Sequence, residues 1–167
     1  MLNVRNSVKV ILLNKESKLL LMGTDDPNIT DINGQYRGRF WQLIGGGVEP
    51  GEHTLDTAKR ELFEETGLKE KDVCFGPVVW HGTLNLVMYR KKTRILQRFI
   101  ICRTEKLEVD LNHLTEAEKT TAKQLKWFSV NDIINCNEII YPVVLSRYLE
   151  EIIHGRIPDP PIEIPLE

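Results

Sequence analysis

Apolar and polar positions alternate from Val4, become continuously apolar up to Leu13, break at Asn14, Lys15, Glu16 and Ser17, and resume at Leu19, Leu20, Leu21 and Met22. Two apolar runs around a short polar turn predict a β-hairpin. The next run, Phe40 to Ile44, predicts a strand that delivers a turn of three glycines, Gly45, Gly46 and Gly47. The period then changes. Leu55, Ala58 and Leu62 stand at the spacing of one buried helical stripe, so a helix is expected from near Thr54, with Asp56 in its first turn, to a left-handed cap at Gly67. Val73 to Trp80, interrupted by Gly76 and Pro77, reads as a strand with a bulge or an edge position. Thr83 to Tyr89 and Ile95 to Arg103 read as strands on either side of a basic turn, Arg90 to Arg94, more in keeping with a solvated hairpin tip than a phosphate site. Leu125 to Phe128 is a further strand, and Ser129 with Asp132 resembles an N-cap opening a short helix. Val143, Val144, Leu145, Tyr148, Leu149, Ile152 and Ile153 give a final helical stripe, with Pro142 in its first turn and a stop before Gly155.

The stretches without a period are as informative. Residues 23–38, rich in Asp, Asn, Gly and Pro, read as a long surface loop that overhangs a substrate or is a flexible insertion without a role. Residues 107–123 are polar and read as a loop or a short helix. Beyond Arg156 come four prolines, Pro158, Pro160, Pro161 and Pro165, which predict an extended tail. Residues 1–155 are therefore expected to form one domain, with 156–167 as a Pro-rich C-terminal tail. Periodicity by itself supports only a mixed α and β fold.

Composition narrows the function classes. A chain of 167 residues with 41% hydrophobic content can bury a core without staples. A net charge of -2 gives no global basic field for a nucleic acid polymer or an anionic membrane, so a charged substrate must be met locally. The apolar run at the N-terminus is too short and polar for a signal peptide or a span. Cys74, Cys102 and Cys136 are odd in number and lack metal-pair spacing. Reduced, mostly buried thiols and a cytoplasmic protein are the expectation. Oligomeric state is left open, a homodimer included.

Chemistry is concentrated after the glycine turn. Glu61, Glu64 and Glu65 stand at i, i+3 and i+4 and share a helix face, where like charges repel by about 0.2–0.5 kcal/mol per pair. A hard divalent ion would relieve that repulsion, and Mg2+ takes oxygen ligands from carboxylates and substrate phosphates together. A solvated acidic face is the alternative, but Arg60 beside the cluster and Glu52 upstream point to an ion pair that fixes the loop against the helix.

Gly46, Glu52, Arg60, Glu61, Leu62, Glu64, Glu65, Gly67 and Leu68 fill every fixed position of the Nudix box, so the chain resembles the Nudix hydrolase family. The resemblance implies an α/β/α sandwich with a mixed sheet, and Mg2+-dependent hydrolysis (Mn2+ as substitute) of a nucleoside diphosphate linked to another group. By position, Glu61, Glu64 and Glu65 would hold the ions, one of them also taking a proton from water. Arg60 would pair with Glu52, and Gly46 would offer a ligand carbonyl. A later loop often adds a carboxylate in this family. Glu116 and Glu118 are the candidates, and each reads equally well as an exposed acid. The proline of the ADP-ribose type is absent near 82–83, the tyrosine of dinucleoside polyphosphate hydrolases is absent near 84–86, and the NADH-type Ser-Gln-Pro-Trp run is missing, which leaves a nucleoside triphosphate or related nucleotide by elimination. The absence of Cys or His before His53 argues against an isoprenoid diphosphate isomerase. A sensor that binds a nucleotide or sugar-nucleotide without turnover is the competing class. Trp41, Trp80, Tyr89, Phe99 and Trp127 read as packing residues before they read as a base pocket, and His81 and His113 as surface residues.

Overall fold

A computed structural model describes all 167 residues. Nine strands form one mixed sheet: β1 (Asn3–Leu13), β2 (Leu19–Thr24), β3 (Ile29–Thr30), β4 (Phe40–Gly47), β5 (Val73–Met88), β6 (Lys91–Thr104), β7 (Ala122–Phe128), β8 (Ile139–Tyr141) and β9 (Ile162–Glu163). Three helices pack on it, α1 (Thr54–Thr66), α2 (Val130–Ile134) and α3 (Leu145–Ile153). Alternation along the strands sends side chains to two faces. Val8, Val10, Leu12, Leu20 and Ile44 meet Ala58 and Leu62 of α1 on one face. On the other, Ile11, Leu13, Leu21 and Phe99 meet Ile133 of α2 and Leu145, Leu149 and Ile152 of α3. The fold is thus the α/β/α sandwich with a mixed sheet that the family resemblance implies.

The path of β4 positions the site. Its first half pairs antiparallel with β2, Thr24 to Leu21 against Phe40 to Leu43. Its second half shifts to β1, with Ile44 to Gly47 opposite Val10 to Ser7. The glycine turn therefore lies against the first half of β1, directly under the helix that follows. β1 runs parallel to β6 along its whole length.

Several local expectations are corrected. Residues 73–88 form one continuous strand with bulges near Gly76 and Pro77, not two. The hairpin tip is Tyr89 and Arg90, both at positive φ, so Lys91 to Arg94 belong to β6 and not to a basic turn. Helix α3 starts at Leu145, and the residues before it contribute β8, parallel to β4. The cysteines are free, but only Cys102 is buried; Cys74 is exposed. Residues 23–38 do not hang free, because β3 pairs with the end of β5 and Tyr89 N–H donates to the Asn28 carbonyl at 2.9 Å. Within that loop the carboxylate of Asp31 accepts from the backbone of Asn33 and Gln35 and pairs with Arg37. The tail reaches the core, with Ile164 and Leu166 buried.

Candidate active site

Helix α1 begins after His53, whose backbone N–H is taken up by Asp56, and ends with Gly67 N–H bonded to the Phe63 carbonyl. Its buried face keeps Ala58 and Leu62 of the expected apolar stripe but not Leu55. Leu55 is exposed, whereas Glu61 and Glu65 are buried with Thr57, Ala58, Leu62 and Thr66. Two glutamates take positions that a core helix normally gives to aliphatic residues, because this face meets the glycine turn. At Gly46 a Cβ would collide with the Glu61 carboxylate. Gly45 has φ 143°, and a Cβ there would run into the Val8 carbonyl. Only glycine lets strand and helix approach this closely.

Arg60 ties these parts together. Its guanidinium donates to Glu52 at 2.6 and 3.0 Å, to Glu61 at 2.8 Å, and to the Gly47 carbonyl at 2.9 Å, with a longer bond of 3.4 Å to Glu64. The pairing with Glu52 is the loop-to-helix tether expected from the sequence, and the bond to Gly47 adds to it. Bonding to Arg60 holds the Glu52 carboxyl down at about 2, with the Glu49 backbone adding to the effect. Glu61 and Glu64 go the other way: burial raises both, against the pull of Arg60. Glu65 is raised well above the ordinary carboxylate value by burial and then by the charge of Glu61.

Carboxylate oxygens of Glu61, Glu64 and Glu118 come within 4.8 Å of one another. Glu118 arrives from a 3-10 turn, Glu118–Thr120, in the 107–121 loop. That loop is fastened to the end of α1 by Asp110 N–H on the Thr66 carbonyl at 3.0 Å and by His113 against Phe63, ring centroids 4.5 Å apart. Glu116 points elsewhere, to Lys119 at 2.6 Å. Glu65, which lines the same cavity, accepts from Gly45 N–H at 2.7 Å. A crowded set of hard oxygen donors, of which Glu61 and Glu64 are raised by burial, fits a divalent cation, which would offset the negative charge that Arg60 alone meets.

Lys9 was not among the residues singled out from sequence. Its ammonium, lowered by burial and supported by the charges of Glu65 and Glu61, donates to Gln42 at 3.0 Å. A lysine between Val8 and Val10 inside an apolar run was the available signal, since the alternation turns it to the face opposite those valines. The acidic cluster opens into a cavity of about 960 Å3 whose walls include Arg5, Lys9, Phe40, Asn85, Arg94 and Tyr141. His81 and His113 are exposed as expected, and Trp41, Trp80 and Phe99 are core.

Comparison with known proteins gives this geometry a family. The NUDIX domain model matches residues 3–147. The chain is 34% identical over 89 residues to the RNA pyrophosphohydrolase of Pelagibacter ubique, covering 52% of this chain and 51% of that protein, so it spans about half of that relative. It is 26% identical over 148 residues to the RNA pyrophosphohydrolase of Pectobacterium atrosepticum, covering 76% and 81%. Among solved structures, a NUDIX hydrolase from Nitrosomonas europaea superposes with a TM-score of 0.62 at 19% identity, covering 93% of this chain and 92% of that one. The C. elegans Ap4A hydrolase does so with 0.62 at 19%, covering 90% and 98%. At those identities the structures speak for the fold alone. With the family model matched over most of its length, and with the fixed residues of the box on the glycine turn, the loop after it, one helix and the end of that helix, the chain belongs to the Nudix hydrolase family, whose members cleave pyrophosphate bonds.

Proposed function

We propose that this enzyme is a Mg2+-dependent nucleotide pyrophosphohydrolase, with Mn2+ as an alternative ion, acting in the cytoplasm on a nucleoside triphosphate or a related nucleotide. The observation that carries the reading is the convergence of Glu61, Glu64 and Glu118, of which Glu61 and Glu118 line a cavity that also contains Arg5 and Lys9. Glu61 and Glu64 would hold cations with Glu118, and the Gly46 carbonyl would complete the set. Bound divalent ions supply charge neutralisation of the diphosphate and a lowered pKa for an attacking water. Glu65, raised by burial, is suited to take the proton from that water. Arg60 and Glu52 keep the helix and the turn in register. Arg5 and Lys9 offer positive charge to the phosphates from the β1 side. No helix of the structure is long and apolar enough to cross a membrane, in keeping with a site that meets dissolved nucleotides.

A second substrate reading comes from the relatives: being RNA pyrophosphohydrolases, they favour the 5′ triphosphate of a transcript. A nucleotide binding sensor without turnover is the third and is disfavoured by the complete set of box acids. The deciding experiment is product identification on ATP, GTP, oxidised nucleotides, ADP-ribose, dinucleoside polyphosphates and a 5′-triphosphorylated oligonucleotide, with Mg2+ and with EDTA. Cation-dependent release of pyrophosphate or phosphate is expected. It should fall at least a hundredfold in Glu61→Gln and Glu65→Gln, about the upper end of the loss seen when even the supporting residues of a metal site are removed. Full turnover in EDTA would end the proposal.

A further inference from the structure

The C-terminal segment, which the family model does not reach, forms part of the cavity wall: Leu166 and Glu167 line it. The segment is held firmly. β9 lies parallel to β5, with Ile162 opposite Trp80 and Glu163 opposite His81, and Ile164 N–H donates to the His81 carbonyl at 2.9 Å. Ile164 and Leu166 are 1% and 6% exposed. Gly82 is where the tail passes directly over β5: a Cβ there would stand 2.6 Å from Leu166 Cγ and 2.7 Å from the Ile164 carbonyl. Glu167 finishes the wall by accepting from the backbone N–H and the side-chain amide of Asn85, whose own carbonyl oxygen accepts from Arg94 at 3.1 Å.

Two properties of this wall bear on substrate choice. It is steric, because across the cavity the 23–38 loop is itself pinned to the end of β5 by β3. The space between them, about 960 Å3, lies within the usual range for a pocket that encloses one small ligand. It is also electrostatic. The Glu167 carboxylate is bonded to neutral groups of Asn85 and has no ion-pair partner. A free nucleotide carries its charge on the phosphates, at the Glu61–Glu118 end. A nucleotide that continues into a chain carries a further phosphodiester, which meets either the wall or its charge. Specificity is commonly built in this way, by a repulsive element set against the competitor.

We infer that residues 162–167 are a specificity wall that restricts the site to free nucleotides and turns away a 5′-triphosphorylated RNA end. The inference rests on the proposed nucleotide pyrophosphohydrolase reading and chooses between its two substrate classes. Its test is binding and not turnover, so the two stand or fall separately. Affinities for non-hydrolysable analogues of ATP and of a 5′-triphosphorylated trinucleotide are measured by calorimetry in Mg2+. The intact chain, Glu167→Gln, and the double variant Leu166→Ala/Glu167→Gln are compared.

The intact chain should prefer the mononucleotide by about tenfold or more, the scale set by one poorly accommodated group in a pocket. In the double variant that preference should largely disappear. Glu167 is exposed, so Glu167→Gln removes charge without disturbing packing, and it should lose the part of the preference that falls with added salt. Equal binding of both analogues by the intact chain, or no binding of either, overturns the inference. So does a preference unchanged in Glu167→Gln at low salt and in a folded double variant. Discrimination in binding without hydrolysis would sustain the wall and defeat the enzyme reading alone.

Discussion

Arg60 has a larger role than its single charge indicates, because it is the one cation among Glu52, Glu61 and Glu64. Removing one partner from a largely buried ionic network leaves the others uncompensated, at a cost of about 3–5 kcal/mol. Arg60→Ala should therefore lower the free energy of unfolding in urea by roughly 3 kcal/mol. Arg60→Lys should recover only part, since an ammonium cannot make the forked contact with Glu52 and Gly47. Glu52 adds a pH dependence whose sign follows from its depressed pKa. A carboxylate ionised more easily in the folded chain stabilises it, fully above the ordinary carboxylate range and progressively less as pH falls from about 4.5 through about 2. Glu52→Gln should be less stable than the parent at pH 7, with the gap closing near pH 2, as urea midpoints would record. Arg60 and Glu52 could be paired from the sequence because they stand on one short loop and helix. Lys9 was legible only as a polar residue in an apolar run, since its partner face is supplied by Gln42 and Glu65 from distant segments.

At the scale of elements, caps were the most legible features. Ser129 Oγ accepts from Asp132 N–H at 3.0 Å, the N-cap expected from the sequence, and Ser129 N–H donates in turn to the Asp132 carboxylate at 2.8 Å. Ser129→Ala should cost about 1 kcal/mol in thermal or chemical unfolding and leave the kinetics of hydrolysis unchanged, because α2 lies on the face away from the acidic cluster. The β5–β6 hairpin was less legible. Its two-residue turn is made by Tyr89 and Arg90 at φ 48° and 66°, where Asn-Gly or Asp-Gly is the usual signal. With no such signal, the basic run after it read as the turn. β3, β8 and β9 are two or three residues long, too short for a period to show. They exist because a neighbouring strand edge offers hydrogen bonds.

For the molecule as a whole, the acidic site places stability and activity in opposition. Burial raises Glu65 well above the ordinary carboxylate value and raises Glu61 and Glu64. A carboxylate whose folded pKa is raised opposes folding above that pKa, and the penalty is relieved as pH falls through it toward the ordinary value. Without cations, thermal stability should thus increase as pH is lowered toward the ordinary carboxylate value, above the window in which Glu52 begins to lose its contribution. Glu65→Gln should flatten that rise and be more stable than the parent while losing turnover, the trade expected of a strained site. Added Mg2+ should raise the melting temperature of the parent, by linkage worth about 2.7 kcal/mol at a hundred times Kd, and should do less for Glu61→Gln. A parent whose melting temperature is indifferent to Mg2+ would contradict the proposed ion site.

The order of the main helices and longer strands, the glycine turn and the spacing of Glu52, Arg60, Glu61, Glu64 and Glu65 are local properties, and the sequence alone determines them through backbone sterics and the helical period. Which carboxylate meets which is not local. Glu118 rather than Glu116 joins Glu61 and Glu64 because the 107–121 loop is fastened to the end of α1. Glu65 turns to Gly45 because β4 changes partners from β2 to β1. The proline-rich tail closes the cavity because the edge of β5 is free to accept it and Gly82 leaves room. Each depends on contacts between segments far apart in the chain, and only the folded molecule brings them within bonding distance.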